Sequence, residues 1–519
     1  MKRLDKTSFL QNLASKRLLA MNAAASLAYF IVIAFFFQAS NPVLFTILVL
    51  SEFFHLLQVF GFVYTVWPRN VTRRFNKDFS KPVDIFITVC GEPTSIVRKT
   101  IKAALAMDYA NKTIHILNDG FVAHKSNWRA IEKLGEDMGV NVITRTVGGG
   151  AKAGNINHAM SVTTNPYIVI FDADHIPHTN FLTKTMGYFI DRRMGFVQTP
   201  QYYYNQNLNL VTRAAWSQQT LFFGPIMSGK DALNSAFMCG TNMVLSRHAI
   251  NQAGGMREDS IAEDFLTSLY VHSKGFKSVY VPEVLAEGLA PEDFESYYKQ
   301  QFRWSRGSLE LVFKHNPLFK RGLSLHQRLQ YVISSGFYLG GSVVAINALM
   351  PIVFLFTGMI ALSTNSMLLA MVFLPYIFLN LYTLQIATSY SYSFEAISFS
   401  LSQFWMQFKA LWMIATGRKS RFAVTSKTKV QGNFTRLVIP HITYIALAVA
   451  GLLYALPRIG VSASLLANVA WVAVNIIIFT PFIYAATSTS APFSFRRFLR
   501  KINVIRMLPR VLESQKGEA

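Results

Sequence analysis

KPVDIFITVCGEPTSIVRKTIKAALAMDYANKTIHILNDG, residues 81–120, sets two short apolar runs on either side of a helical pattern. Val83–Cys90 is apolar and β-branched over the length of a strand, Ser95–Met107 carries its apolar residues at helical spacing, and Thr113–Asn118 is a second strand. The rhythm continues outward: His124–Met138 predicts a helix, Asn141–Thr146 a strand, another helix starts at Lys152, and Tyr167–Phe171 is apolar throughout. Short apolar strands alternating with helices imply a mostly parallel sheet covered on both faces. Ligands of such sheets bind beyond the carboxyl ends of the strands, so the chemistry is expected just after these runs.

This α/β block does not stand alone. Of the 519 residues, 51% are hydrophobic and only 15% charged, with mean hydropathy +0.28. A water-soluble chain of this size would carry about a quarter charged residues. The 50 Lys and Arg against 27 Asp and Glu leave a net charge of +23, which suits nucleic acid or the anionic face of a membrane. The apolar content favours the membrane. The acidic residues are concentrated, 22 of the 27 lying between Trp67 and Leu329. Apolar stretches flank that block on both sides. With only Cys90 and Cys239, no disulfide framework organises the chain.

Six stretches are expected to cross a bilayer, each at least as long as the roughly 20 residues a crossing takes: Leu18–Gln38, Val43–Trp67, Leu329–Leu362, Met367–Thr388, Leu437–Pro457 and Val461–Ala486. The first is too long for a signal peptide and has no small-residue cleavage pattern. Phe394–Thr416 is apolar too, but Glu395 and Lys409 bracket it, so it is read as an interfacial amphipathic helix. Six crossings put the basic N-terminus, the acidic block and the basic tail on the cytoplasmic side. The outer connections Ser40–Pro42 and Ser363–Ser366 lack Lys and Arg, and Arg458–Gly460 carries one Arg. The expected organisation is a membrane region at 1–67 with two spans and a cytoplasmic domain at 68–328. A membrane region with four spans at 329–486 then holds the interfacial helix 394–416 and a loop 417–436, and a basic tail occupies 487–519. Glu52 and His55 lie inside the second span; Glu52 marks either a conduction path or a polar contact with a neighbouring helix.

Polar groups stand where the sheet predicts ligands. Asp119 follows the second strand, and Asp172 and Asp174 follow Tyr167–Phe171 in FDADHIP. Two carboxylates two positions apart at a strand end, with His175 beside them, suit a hard divalent ion that also holds phosphate oxygens, although a lone D-x-D is also a common surface turn. GGGAKAGN (Gly148–Asn155) sits at a strand-to-helix junction. It fits G-x-G-x-x-A loosely and is not a Walker A loop; Lys152 at a helix N-terminus suits a phosphate group, and an ordinary glycine turn fits the string equally well.

Taken in order, ILNDG (Ile116–Gly120), KAGNIN (Lys152–Asn157), DADH (Asp172–His175), VQTPQ (Val197–Gln201), FMCGTN (Phe237–Asn242), AED (Ala262–Asp264), Gln300-x-x-Arg303-Trp304 and FAVTSK (Phe422–Lys427) resemble the motifs of processive family 2 glycosyltransferases, and among them the bacterial cellulose synthase catalytic subunits. The resemblance covers roughly Lys81 to Lys427. It implies a GT-A, Rossmann-like cytoplasmic domain inserted in a bundle of six helical spans at the plasma (inner) membrane. The implied activity is inverting transfer of glucose from UDP-glucose onto a growing β-1,4-glucan, which is extruded through the membrane.

Residue by residue, the resemblance implies that Asp119 contacts uracil and Lys152 the diphosphate, while Asp172 and Asp174 hold the nucleotide with Mg2+ or Mn2+. Asp264 would be the general base, with Glu263 beside it. Gln300 and Arg303 would steady the leaving diphosphate. Trp304 would stack on the acceptor sugar, although an interfacial anchor uses the same residue type; Cys239, Gly240 and Thr241 would lie near that sugar. Phe422, Val424, Thr425 and Lys427 would form a gating loop. The expected partners are a UDP-sugar, the growing polysaccharide, membrane lipids and an accessory export subunit, with no nucleic acid, because strand-end carboxylates repel phosphate.

Three departures stand out. NDG replaces the usual DDG, so Asn118 takes an acidic position; AED replaces TED, with Ala262 for Thr; and only 487–519 follow the last span, so no fused cyclic-di-GMP-binding barrel is expected. The nearest rivals are a hyaluronan- or chitin-type synthase using UDP-N-acetylglucosamine, which would carry W-G-T-R where FAVTSK stands, a synthase of β-1,3 or mixed-linkage glucan, and a non-processive lipid glycosyltransferase, which Gln300, Arg303, Trp304 and the paired spans argue against.

Overall fold

The computed structural model describes residues 8–10, 12–363, 366–418 and 432–487. Apolar runs too short to be helices pair into a seven-stranded sheet: β1 (Val83–Val89), β2 (Lys112–Asn118), β3 (Asn141–Thr144), β4 (Tyr167–Asp172), β5 (Met194–Gln198), β6 (Met243–Ser246) and β7 (Lys277–Tyr280). The order across the sheet is β7-β5-β6-β4-β1-β2-β3. All pairings are parallel except those of β6, which runs antiparallel to β4 and β5. The expected α/β sheet is therefore present, with one reversed strand that the period of the early repeats did not announce.

Register decides where the chemistry sits. Val89 of β1 faces Asn118 of β2, and Thr88 faces Asp172 of β4, so these strands end level. β1 is buried at every position, as expected for a strand with helices on both faces. One face packs Ile85, Ile87, Val97, Ile101, Ile131 and Leu134; the other packs Phe86, Leu117, Ile156, Ile168, Ile170 and Leu245. Two local readings shift. The helix expected from His124 starts at Trp128, because His124 sits in the left-handed region (φ 52°) and the chain turns there. The strand expected to reach Thr146 ends at Thr144, a shift that matters below.

Among the described residues, six helices are long and apolar enough to cross a membrane: Lys16–Phe35, Pro42–Val66, Leu325–Thr357, Met367–Ala387, Ile439–Ile459 and Ala463–Thr487. Two precede the sheet and four follow it. Gln38 and Ala39 pair antiparallel with Ser363 and Leu362, which brings the connection after the first helix beside the one after the third. Phe394–Thr416 divides into two short helices, Phe394–Ser402 and Phe404–Ala415. Gln403 at the break donates its amide to the Tyr297 hydroxyl at 2.7 Å, and neither piece is long enough to span.

Candidate active site

At the end of β2 the chain turns through Asn118 and Asp119, both buried. Asn118 is occupied structurally: its amide donates to the Trp128 carbonyl at 2.9 Å, and its oxygen accepts from the Gly120 N–H at 3.1 Å. This closes the turn with a neutral side chain at the position where an acidic residue was expected. Asp119 is gripped by Arg145, whose Nε and Nη2 donate to the two carboxylate oxygens at 2.7 and 2.9 Å. A bidentate pair of this kind fixes the carboxylate plane as well as its charge. Arg145 also donates to the carbonyls of Gly149 and Ala151. It therefore ties the Asp119 turn to the glycine loop that presents Lys152.

Arg145 is a site residue that the motif reading missed. A strand running to Thr146 would place Arg145 inside it; with β3 ending at Thr144, Arg145 is the first residue past a strand end. That position is the signal that could have found it.

Lys152 lies in the first turn of the helix Ala151–Val162. Its ammonium group pairs with Asp172 and donates to the Gly240 carbonyl at 2.7 Å. Asp172 ends β4, where Thr88 donates to its Oδ1 at 3.2 Å. Asp174 is 1% exposed, and its Oδ2 accepts from the Leu289 N–H at 3.2 Å. Ligand atoms of Asp172, Asp174 and His175 lie within 4.8 Å of one another. Hard oxygen donors of this kind fit Mg2+ or Mn2+. The His175 ring is committed elsewhere. Its Nδ1 is 3.1 Å from Thr241 Oγ1. Its far edge lies against Gly288, where a Cβ would come within 2.0 Å of Cδ2 and Nε2. The two carboxylates are thus the residues suited to a cation, and His175 holds their turn.

FMCGTN reaches this cluster through β6. Gln198 accepts from the Cys239 N–H at 2.8 Å and donates to the Thr241 carbonyl at 2.9 Å, while Gln201 donates to the Cys239 carbonyl at 2.7 Å. VQTPQ is therefore the cradle of FMCGTN. Thr241 is buried, at 1% exposure, and its hydroxyl accepts from the Asp172 N–H at 2.9 Å. Gly240 adopts φ +84°, and a Cβ there would stand 3.1 Å from Asp264 Oδ2 and 3.7 Å from Lys152 Nζ. Only a residue without a side chain lets these two charged groups share the space.

Asp264 and Glu263 open the helix Glu263–Ser273. Burial pushes the Asp264 carboxyl up to about 7, and the neighbouring Glu263 charge adds to the effect; Lys152 and Arg303 oppose it. A carboxylate with such a pKa is poised as a base near neutral pH. Cys239 feels the same surroundings: burial, then Asp264, raises its thiol well above the ordinary range, so it is an unreactive group here.

Gln300, Arg303 and Trp304 lie at i, i+3 and i+4 on the helix Phe294–His315, and Arg303 faces Asp264 closely enough to shift it. The helix approaches tightly: a Cβ on Gly307 would fall 2.3 Å from the Ala262 Cβ. The small residue in AED therefore sits against that helix. Phe422, Val424, Thr425 and Lys427 lie outside the described residues, as does the tail beyond Thr487.

Residues 82–307 match the model of Glycosyltransferase like family 2, and residues 253–434 that of Cellulose synthase. The chain is thus similar to the family 2 glycosyltransferases over its sheet domain and to cellulose synthases over the part that follows. Among curated relatives, the Cellulose synthase catalytic subunit [UDP-forming] of Xanthomonas axonopodis pv. citri (strain 306) is 36% identical over 53% of this chain and 38% of its own. That of Pseudomonas fluorescens (strain SBW25) is 33% identical over 64% of this chain and 45% of its own. Cellulose synthase 1 of Komagataeibacter xylinus is 32% identical over 74% and 25%. The chain thus spans less than half the length of these three relatives. A solved mannosyltransferase from Pyrobaculum calidifontis, in complex with GDP-Man and Mn2+, is 14% identical over 89% of this chain and 99% of its own at a TM-score of 0.40; at that score nothing follows from the likeness.

Proposed function

We propose that this chain is a membrane-embedded, processive, inverting glycosyltransferase that transfers glucose from UDP-glucose to the end of a β-1,4-glucan and passes the polymer through its spans. The observation that carries the reading is the convergence of Asp264, Gly240, Lys152 and Asp172 at the carboxyl end of one sheet, with Arg303 facing Asp264 from the next helix. Inverting transfer without a covalent intermediate needs one base on the acceptor side and positive charge on the departing diphosphate.

In this reading Asp119, held flat by Arg145, accepts from the uracil edge. Lys152 leaves Asp172 for the diphosphate when the donor arrives. Asp172 and Asp174 would hold Mg2+ or Mn2+, which supplies charge to neutralise the leaving group. Arg303 and Gln300 steady that group from the opposite helix, Trp304 offers a face to the acceptor sugar, and Asp264 takes the proton of the acceptor hydroxyl. Gly240 and Cys239 line the space between donor and acceptor, with Glu263 keeping Asp264 basic. The domain at 68–328 faces the cytoplasm, the spans at 1–67 and 329–486 lie in the inner membrane, and an accessory subunit receives the polymer outside.

The test is direct. Protein reconstituted in lipid is incubated with Mg2+ and UDP-glucose, UDP-N-acetylglucosamine or UDP-galactose, and the product is digested with linkage-specific glucanases. Polymer from UDP-glucose that only a β-1,4-glucanase degrades is expected. Polymer from another donor, or resistance to that enzyme, overturns the reading.

A further inference from the structure

Glu52 stands inside the second apolar helix, about 15 Å along its axis from Pro42 at 1.5 Å per residue, near the middle of a hydrocarbon layer of about 30 Å. Ionisable groups at that depth are costly and are retained where they have work to do. Glu52 is 8% exposed, and its Oε2 lies 3.4 Å from His55 Nδ1. It is also within electrostatic reach of Tyr29 on the first helix and Tyr376 on the fourth, whose rings stack at 4.4 Å.

From these tyrosines a polar seam runs between the first and fourth helices toward the end where the glycosyltransferase domain sits. Asn22, Ser26 and Tyr29 share one face of the first helix, and Tyr376, Asn380 and Thr383 share one face of the fourth, each series at helical i, i+4, i+7 spacing. Asn380 donates to Ser26 Oγ at 3.2 Å, and Ser26 donates to the Asn22 carbonyl at 2.8 Å. Two side-chain atoms on this seam, Asn22 Oδ1 and Thr383 Oγ1, are buried without a hydrogen-bond partner among the described residues, in residues 1% and 0% exposed. Buried polar atoms in that state are where internal water is held.

We infer that Glu52 and His55 together bind one exchangeable proton in the middle of the membrane, and that a hydrated seam through Thr383, Asn22, Ser26 and Asn380 connects this pair to the domain side. The ligand is a proton and not a hard metal cation, because the nearest side-chain partner of the carboxylate is an imidazole nitrogen, whereas Na+, Mg2+ and Ca2+ select oxygen donors. Sharing a proton lets the carboxyl and the imidazole carry less net charge than either would alone in hydrocarbon. The inference rests on the six apolar helices being spans; it does not depend on the sugar or the linkage.

Infrared spectroscopy of the full chain in lipid tests it. The wild type should show the C=O stretching band of a protonated carboxyl at neutral pH, and Glu52→Gln should lose it. In D2O the band should shift promptly in the wild type and slowly in Asn380→Val, which interrupts the seam without touching the pair. His55→Phe should retain the band at a changed frequency, because the carboxyl loses its imidazole partner, and it serves as the second reading should Glu52→Gln fold poorly. Identical carboxyl bands in wild type and a folded Glu52→Gln, a His55→Phe band at the wild-type frequency, or exchange in Asn380→Val as fast as in wild type, would each overturn the inference.

Discussion

Replacing Asp264 with Asn removes a proton acceptor while keeping the shape, and the geometry sets two separate magnitudes. The first is stability. In the fold, burial and Glu263 raise the carboxyl from 3.8 to about 7, and each unit is worth about 1.4 kcal/mol. The ceiling is therefore about 4 kcal/mol; solvent reaches part of this carboxylate, so about half of that is expected. Because the folded state holds the proton more tightly than the unfolded one, wild-type stability from this group is complete below pH 3.8 and is lost as pH rises toward about 7. Asp264→Asn has no such loss. Without nucleotide, its advantage over wild type should be near zero close to pH 4, grow through pH 5 and 6, and level off above about 7. A difference of roughly 2 kcal/mol corresponds to about 4–8 °C in Tm for a domain of this size. The second magnitude is catalytic: loss of a positioned base costs roughly 10²–10⁴ in rate. Polymer formation should fall by that factor, while UDP affinity stays, since Asp119, Lys152, Asp172 and Asp174 are untouched. The wild-type rate should itself decline below about pH 7 as Asp264 takes up its proton. Thermal unfolding across pH, calorimetry with UDP and radiolabel incorporation read these separately. A pH-independent Tm difference, or polymer made at near wild-type rate, refutes the assignment.

Arg145→Lys keeps the charge but loses the two-point grip on Asp119, so UDP affinity should drop about 10- to 100-fold, the worth of a charged hydrogen bond, at an unchanged kcat; titration calorimetry checks it, and unaltered affinity removes Arg145 from the donor site. Asp174→Asn should abolish the increase in UDP binding that Mg2+ or Mn2+ produces, while metal-free binding persists. Gly240→Ala forces a side chain into the left-handed region, at about 1–2 kcal/mol, and places its Cβ 3.1 Å from Asp264 Oδ2; kcat should fall about tenfold or more, whereas UDP binding measured by calorimetry should not. Cysteines at Ser40 and Ser363 should both react with an impermeant thiol reagent added outside intact cells, and one at Ser80 should not; labelling at Ser80 would reverse the orientation proposed for the catalytic domain.

Much of the molecule was legible in one dimension because its signals are local. An apolar run of about 20 residues reads as a span whatever it packs against, and all six helices lie within a few residues of the stretches expected. The strand–helix rhythm from Val83 to Asp172 is likewise set by short-range pattern, and the carboxylates stand beyond the strand ends as parallel sheets require. The misses are places where a contact distant in sequence overrules local propensity. Nothing in FMCGTNMVLS says that Met243–Ser246 runs antiparallel between β4 and β5. Phe394–Thr416 reads as one helix until Gln403 is drawn to Tyr297 across 106 residues.

The active site divides along the same line. Residue types and motif order by themselves determined that a sheet would present Asp119, Lys152, Asp172, Asp174 and Asp264 at its edge, because each motif is a short string at a strand or helix end. Only the tertiary structure decided what those groups do to one another. Arg145 fixes Asp119 across 26 residues, Thr241 holds the Asp172 turn across 69, and Lys152 reaches the Gly240 carbonyl across 88. The raised pKa of Asp264 belongs to this second class, since it arises from burial and from charges brought in by other elements, and neither burial nor a through-space charge is a property of the tripeptide Ala262–Asp264.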